Sequence, residues 1–155
     1  MIVKFKKLSK DAVAPTKAHP TDAGFDLTAV TKSVDGDGNI VYGFGLAFEI
    51  PEGHVGLIFP RSSIARRDLL LSNSVGVIDC HYRGAVTVKF KRCVKILDYG
   101  FESHAEARLN RYREYEIGER VAQLVVIPIP EVTLEESDAL SDTDRGEGGY
   151  GSSGK

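Results

Sequence analysis

The stretch "NIVYGFGLAFEIPEGHVGLIFP", residues 39–60, decides the fold class. It contains two runs rich in β-branched and aromatic residues, 39–50 and 54–60, which the turn signal "PEG" separates. Runs of this kind, bounded by Gly and Pro, are typical of strands joined by a short turn. The preceding "DGDGN", residues 35–39, predicts a hairpin turn. The stretch therefore predicts consecutive strands rather than helices.

The same strand signal recurs along most of the chain. Sixteen glycines punctuate short apolar runs, and no internal repeat is visible. These features predict an all-β sandwich or barrel. One short helix is expected at "SIARRDLL" (63–70) and a second is possible at "ESHAEARLNRY" (102–112). The further strand-like runs are "MIVKFKKL" (1–8), "SVGVID" (74–79), "AVTVKFKRCVKIL" (85–97) and "RVAQLVVIPIP" (120–130).

Length and charge exclude several classes of function. A chain of 155 residues suits one domain with a real core. The net charge of −2 provides no basic field for nucleic acid. Neither a membrane-spanning run nor a signal peptide is visible, so we expect a cytoplasmic or, for a viral chain, host-intracellular protein without a membrane partner. Cys80 and Cys93 are expected to be free thiols.

An apolar run ends in a carboxylate at Asp79. This aspartate could cap a turn, or act as a general base whose pKa is tuned by burial. In an extended chain Asp79 and His81 would share one face, and Cys80 and Tyr82 the other. That alternation separates Cys80 from His81 and argues against a catalytic thiol.

The segment "FPRSSIARRDLL", residues 59–70, breaks a strand at a proline and then enters the expected helix. Either Ser62 or Ser63 could be a helix N-cap. The same geometry could instead offer an anion backbone N–H groups, a hydroxyl and the Arg61 guanidinium. Both interpretations remain open from the residues alone.

Two aspartates flank a glycine in "HPTDAGFDLTA", residues 19–29. Asp22 and Asp26 could be turn formers. They could equally reach a hydrated Mg²⁺, which prefers one or two carboxylates together with substrate phosphates.

The stretch "RGEGGYGSSGK", residues 145–155, contains the letters of a G-x-x-x-x-G-K phosphate loop. Such a loop opens a helix, and no helix follows Lys155 in this sequence. We therefore expect a Gly-rich, flexible tail rather than a Walker-type loop.

Five short motifs, in order along the chain, resemble the five signatures of the trimeric dUTP diphosphatases (dUTPases). The resemblance implies a jelly-roll-like β fold of the dUTPase type. It also implies a domain over 1–143 with an insert at about 92–117, and a tail over 144–155 that closes on the active site. The motifs are "AGFDL" (23–27), "PRSSIA" (60–65), "GVIDCHYRG" (76–84), "GERVAQ" (118–123) and "RGEGGYGSSG" (145–154).

The resemblance implies a reaction and an assembly. Water would attack the α-phosphorus of dUTP, with Mg²⁺ on the triphosphate, and release dUMP and pyrophosphate. This would keep uracil out of DNA and supply dUMP for thymidylate synthesis. A homotrimer with three active sites between its subunits is implied as well.

The resemblance also assigns roles to residues. Asp79 would hold the deoxyribose 3′-hydroxyl and orient the attacking water, and Tyr82 would pack against the sugar. Asn73 would read uracil, helped by backbone groups of a hairpin from about 73 to 82. Asp26 would reach the metal through water. The other implied substrate contacts are Arg61, Ser62, Ser63, Val77 and Gln123, together with Arg145, Tyr150, Gly151 and Ser152 in the tail of a neighbouring subunit.

Two alternatives use the same fold. The pattern of the dCTP deaminases has a Glu five residues after the glycine that ends the third signature, which here is Gly84. That position holds Lys89, so we expect no deamination. The other alternative is a nucleotide-sensing regulatory protein. The role of the insert is open.

Overall fold

The computed structural model describes residues 1–93 and 113–149 of the chain. Within those residues the structure is almost entirely β, and every strand pairing is antiparallel. The strands are β1 (Lys4–Lys7), β2 (Phe25–Thr28), β3 (Thr31–Val34), β4 (Ile40–Gly43), β5 (Leu46–Glu49), β6 (His54–Pro60), β7 (Leu69–Leu71), β8 (Gly76–Ile78), β9 (Thr87–Arg92) and β10 (Arg120–Pro128), with a 3-10 helix at Ser62–Arg66.

Two four-stranded sheets enclose the core. Their strand orders are β2-β10-β6-β8 and β3-β4-β9-β7, while β1 and β5 form a separate two-stranded ribbon. Buried side chains from both four-stranded sheets belong to one hydrophobic cluster, including Leu27, Ile58 and Leu124 from the first and Ile40 and Phe90 from the second. This arrangement confirms the all-β prediction and is of the jelly-roll type.

The stretch 39–60 supplies much of that core by alternation. A strand directs every second side chain to the same face, and here the large side chains at alternate positions are buried, namely Ile40, Tyr42, Phe44, Leu46, Phe48 and Ile50, with the small Ala47 buried as well. Between β4 and β5 the backbone turns at Gly45, whose φ is +63°. A Cβ there would lie 2.7 Å from Ser9 Oγ, so this turn requires glycine.

The hairpin predicted at "DGDGN" is confirmed between β3 and β4. Asp35 Oδ1 accepts hydrogen bonds from the backbone N–H groups of Asp37 (3.1 Å) and Asn39 (2.9 Å). Lys89 Nζ, on β9, donates to Asp35 Oδ2 at 2.8 Å. The hydrogen bond from Lys89, more than any other contact, lowers the pKa of Asp35 to about 2.

The helix expected over 63–70 is only partly correct. The helical residues are Ser62–Arg66, in 3-10 form, and Leu69–Leu71 is a strand whose outer two residues are buried. None of the helical residues is buried, so no apolar face stabilises a longer α-helix here. The prediction that Ser62 or Ser63 is the N-cap is wrong, since Arg61 occupies that position without a side-chain capping bond.

The extended geometry assumed beyond β8 is also wrong. The backbone N–H of Tyr82 donates to the carbonyl of Asp79 at 3.0 Å, which makes residues 79–82 a turn. In the described chain β8 pairs with β6 alone, so 73–82 is not the expected hairpin. Both cysteines are free, as predicted. The possible helix at 102–112, the end of the run 85–97 and most of the insert lie outside the described residues.

No helix in the described part of the chain is long and apolar enough to cross a membrane.

The Tyr42 hydroxyl bonds both backbone groups of a second buried residue, Tyr115. It accepts from the Tyr115 N–H at 3.1 Å and donates to the Tyr115 carbonyl at 2.9 Å. Both residues are at most 1% exposed. Burial, above all other influences, raises the pKa of Tyr42, so this hydroxyl stays protonated.

We predict that Tyr42→Phe lowers the free energy of unfolding by about 1–3 kcal/mol, because two buried backbone groups lose their partner. Denaturant unfolding at a fixed protein concentration measures this. Tyr82→Phe is the control, since its hydroxyl bonds the Ala85 carbonyl on an exposed surface. That variant should change the free energy of unfolding by less than about 0.5 kcal/mol. Equal effects of the two substitutions would contradict the prediction.

Candidate active site

A carboxylate held by two arginines lies where β2, β10 and β6 run side by side. Gln123 on β10 is opposite Asp26 on β2 and opposite Phe59 on β6. Arg61, just after β6, donates through Nε to Asp26 Oδ1 at 2.6 Å. Arg120, at the start of β10, donates through Nη1 to Asp26 Oδ2 at 2.9 Å. The Asp26 side chain is only 12% exposed, so the two cations hold it in place.

The Gln123 amide forms one wall of this cluster. Its Nε2 donates to the Pro60 carbonyl at 3.2 Å, immediately before Arg61. The opposite side of the amide lies against Gly24, where an added Cβ would be 2.7 Å from Gln123 Oε1. Gly24 therefore leaves the space that the glutamine occupies.

The two predicted serines differ in their surroundings. Ser62 begins the 3-10 helix and is exposed. Ser63 is half-buried, and its Oγ lies 2.9 Å from the Tyr115 hydroxyl. With Arg61, Arg120 and Gln123 they provide cations, an amide and hydroxyls, a set that suits an oxyanion such as phosphate. We call Asp26, Arg61, Ser62, Ser63, Arg120 and Gln123 the cationic cluster.

A second group of predicted residues lies along β8 and the turn after it. Val77 is 61% exposed and Tyr82 is 45% exposed. The Tyr82 ring lies over Gly84, where a Cβ would be 2.5 Å from the tyrosine hydroxyl. Asn73 lies in the turn before β8. The carboxylate of Asp79, directly after β8, has no hydrogen-bond partner in the described chain. We call Asn73, Val77, Asp79 and Tyr82 the β8 group.

The strand register separates Asp79 from the cationic cluster. In the antiparallel pair of β6 and β8, Gly56 is opposite Ile78 and Ile58 is opposite Gly76. Asp79 therefore lies beyond the Gly56 end of the pair, while Arg61 follows β6 at its other end. In this register Asp79 falls opposite Val55, six residues before Arg61, and at about 3.3 Å per residue six residues of strand correspond to about 20 Å. One chain does not bring the Asp79 carboxylate to the arginines.

Of the remaining predicted residues, Arg145 and Asp22 take no part in either group. Arg145 donates through Nε to the Gly148 carbonyl at 3.0 Å, a contact within the tail. Tyr150, Gly151 and Ser152 lie outside the described residues. Asp22 accepts the His19 N–H at 2.8 Å, which makes it a turn former.

Sequence reasoning missed two residues that contact the site. Arg120 lies inside the fourth motif, and a basic residue at the start of a strand rich in Val and Ile could have indicated it. Tyr115 carried no such signal, because it follows a charged segment in which the strand pattern lapses.

The site suits a magnesium ion that arrives with a substrate. Among the described residues no group of three or more His, Cys, Asp or Glu side chains could hold a metal ion. Mg²⁺ keeps several waters and uses one or two carboxylates plus phosphate oxygens. Asp26, a single carboxylate among cationic, amide and hydroxyl side chains, meets that requirement.

Comparisons with known proteins agree with the motifs. The family model described as dUTPase matches residues 10–95 and 109–154. A deoxyuridine 5′-triphosphate nucleotidohydrolase of Corynebacterium glutamicum is 39% identical over 155 residues, which cover 99% of this chain and 95% of the relative.

Solved structures give the same result. A variant dUTPase of Staphylococcus bacteriophage 80alpha with dUpNHpp has a TM-score of 0.78 and 31% identity, over 99% of both chains. A variant dUTPase from phage phi11 of S. aureus, described with a structural Mg(II) ion, has a TM-score of 0.68 and 25% identity, over 90% of this chain and 98% of the other.

The contact between Gly24 and Gln123 yields a test. We predict that Gly24→Ala displaces the Gln123 amide from the Pro60 carbonyl and lowers the free energy of unfolding by about 1–3 kcal/mol, as overpacking does. Denaturant unfolding and the NMR signals of the Gln123 side-chain amide measure the two effects. Gly36→Ala is the matched control, because a Cβ there meets nothing within 4 Å. Unchanged Gln123 signals in Gly24→Ala would refute the prediction.

Proposed function

This chain belongs to the dUTPase family, and we propose that it is a dUTP diphosphatase in which water attacks the α-phosphorus of dUTP. The products are dUMP and pyrophosphate. One observation carries the proposal: the chain presents a carboxylate without a partner among the described residues, Asp79, close in sequence to an exposed aromatic ring, Tyr82, and a separate cationic cluster suited to phosphate. These are the groups that attack on a nucleotide phosphorus requires.

The cationic cluster binds the triphosphate. Arg61 and the hydroxyls of Ser62 and Ser63 contact phosphate oxygens, and the Gln123 amide contributes a further donor. Asp26 would reach, through water, a Mg²⁺ ion bound with the substrate, and that ion would neutralise phosphate charge. Preorganised donors of this kind stabilise the charge that develops during phosphoryl attack.

The β8 group binds the nucleoside and activates water. Asp79 holds the deoxyribose 3′-hydroxyl and takes the proton of the attacking water, a general-base role that typically contributes about 10²–10⁴-fold. The Tyr82 ring is fixed by its hydroxyl bond to Ala85, and it leaves no room for a ribose 2′-hydroxyl. Asn73 and Val77 contact uracil. Cytosine in the same place would leave a buried polar group unpaired, which would weaken its binding.

The active site lies between subunits of a homotrimer. The separation of about 20 Å along β6 prevents Asp79 and Arg61 of the same chain from acting on one phosphate. A second copy supplies the missing half. Large apolar side chains exposed on the single chain, such as Leu70 (60%), Val77 (61%) and Ile117 (61%), support burial against other copies.

The tail completes the site from a neighbouring subunit. We assign residues 1–143 to the β domain, with its insert at about 92–117, and residues 144–155 to the tail. Arg145 binds phosphate and Tyr150 stacks on uracil, while Gly151 and Ser152 allow the backbone close to the substrate. The charged and glycine-rich composition of the tail supports this role.

The proposed reaction acts on the nucleotide pool of the cell, in the cytoplasm or in the host cell for a viral chain. It keeps uracil out of DNA and supplies dUMP for thymidylate synthesis. Deamination of dCTP is not supported, because Lys89 lies on β9 and its ammonium pairs with Asp35 at 2.8 Å. A lysine there cannot replace a proton-shuttling glutamate.

A nucleotide panel tests the reaction. With Mg²⁺ present, the purified protein should release pyrophosphate from dUTP at least about 100-fold faster than from dCTP, whose base would leave buried polar groups unpaired. UTP should also be a poor substrate, because its 2′-hydroxyl meets the Tyr82 ring. Ammonia should not form from dCTP. Absence of pyrophosphate from dUTP would refute the enzyme, whereas ammonia from dCTP would establish the deaminase alternative.

Subunit mixing tests the shared site. Asp79→Asn and Arg61→Ala should each reduce kcat by at least about 100-fold. Equal amounts of the two variants, unfolded and refolded together, should recover about a quarter of wild-type activity, because random assembly places both intact residues in one site of every four.

Two controls accompany that experiment. Each variant refolded alone should remain inactive. The double variant mixed equally with wild type should also give about a quarter of full activity if sites are shared, but about a half if each chain holds a whole site. No recovery from the two single variants would refute the shared site.

A further inference from the structure

The Tyr115 hydroxyl is buried and bonds Ser63 in the loop of residues 61–67, which follows β6 and contains the 3-10 helix. Tyr115 is 1% exposed, and its hydroxyl lies 2.9 Å from Ser63 Oγ. No other partner of this hydroxyl occurs within residues 1–93 and 113–149. The bond joins the core of the β domain directly to the loop that follows β6.

Tyr115 is itself firmly held. Its backbone N–H and carbonyl both bond the Tyr42 hydroxyl, at 3.1 and 2.9 Å. Its ring packs against Tyr42 and Phe90, with a centroid separation of 6.2 Å in each case. A tyrosine anchored at backbone and ring has little freedom, so its hydroxyl is a fixed point.

The residue after the 3-10 helix reinforces this contact. The Arg67 guanidinium carbon lies 4.4 Å from the centroid of the Tyr115 ring. Arg67 Nη1 donates to the Glu114 carbonyl at 2.8 Å, and Nη2 donates to Glu119 Oε1 at 2.6 Å. These bonds tie the end of the loop to the segment 113–119 on either side of Tyr115.

The loop needs such an anchor. The 3-10 helix has no side-chain N-cap bond and no buried residue, so it has little intrinsic stability. Without Tyr115 the hydroxyl of Ser63 could rotate freely. A serine hydroxyl has one proton to donate and two positions that accept, and only a suitable rotamer directs that proton to a ligand.

We propose that Tyr115 is a positioning residue for triphosphate binding, an inference that rests on the proposed dUTPase function. The Tyr115 hydroxyl donates to Ser63 Oγ, which occupies one acceptor position and leaves the serine proton free to donate to a phosphate oxygen. Donation to Ser63 also polarises its O–H and strengthens the second bond. Tyr115 touches neither the nucleotide nor the attacking water.

A double-mutant cycle tests this role. Tyr115→Phe and Ser63→Ala should each weaken binding of the analogue dUpNHpp by about threefold to tenfold, the value of one net hydrogen bond. The double variant should bind no more weakly than the weaker single variant, because both substitutions remove the same bond. Titration calorimetry measures the affinities.

The affinity for deoxyuridine distinguishes a positioning role of Tyr115 from a general destabilisation of the fold. It lacks phosphates, so its affinity should be the same in wild type and in Tyr115→Phe. A merely structural role of Tyr115 would weaken dUpNHpp and deoxyuridine alike. In steady-state assays with dUTP, KM should rise by the same threefold to tenfold as the dUpNHpp dissociation constant.

The outcomes distinguish this inference from the proposed function. If wild type neither hydrolyses dUTP nor binds dUpNHpp, the proposed function fails. If wild type does both, unchanged dUpNHpp affinity in Tyr115→Phe, or fully additive effects in the double variant, overturns the positioning role. Should Tyr115→Phe not fold, Ser63→Ala carries the test: it must weaken dUpNHpp and spare deoxyuridine, and any other result overturns the inference.

Discussion

The pairing of β6 with β10 on one side and with β8 on the other determines where the candidate residues lie. Its pairing with β10 brings the end of β6 beside Gln123, and β10 in turn aligns with Asp26 on β2. Its antiparallel pairing with β8 sends Asp79 towards the opposite end of the strand. A slip of one residue in either pairing would turn the outward side chains into the core. The buried residues of the sheets therefore fix the strand register that positions the candidate site residues.

The local chemistry of this chain was readable from its sequence, while the long-range contacts were not. The run ending in Asp79, the strand break before Arg61 and the "DGDGN" turn depend on neighbours a few residues away, and each was predicted. The bonds from Tyr115 to Ser63 and to Tyr42 join residues 52 and 73 positions apart. No periodicity encodes such pairs, because the tertiary fold alone brings them together.

The errors have the same origin. Leu69 belongs to the segment 63–70 that was expected to be helical, yet it and Leu71 are buried on a strand that pairs with β9. Burial of two leucines outweighs the modest helix propensity of so short a segment. Similarly, a serine before an apolar run predicts a cap, but Ser63 has a buried tyrosine hydroxyl as its partner, and the cap is not made.

The Asp26 carboxylate explains how two arginines can lie side by side at the proposed phosphate site. Without the Asp26 carboxylate the two guanidinium groups would repel each other. Because this carboxylate is largely buried away from water, its attraction for both guanidinium groups is stronger. An incoming triphosphate carries more negative charge than one carboxylate and offers bidentate oxygens. In the proposed function it would compete for the Arg61 fork, and Asp26, released from that arginine, would be free to reach the substrate's magnesium through water. Before binding, the two arginines carry one more charge than Asp26 neutralises; a bound triphosphate would pair with Arg61 while Asp26 stays paired with Arg120, so neither guanidinium would be left without an anion.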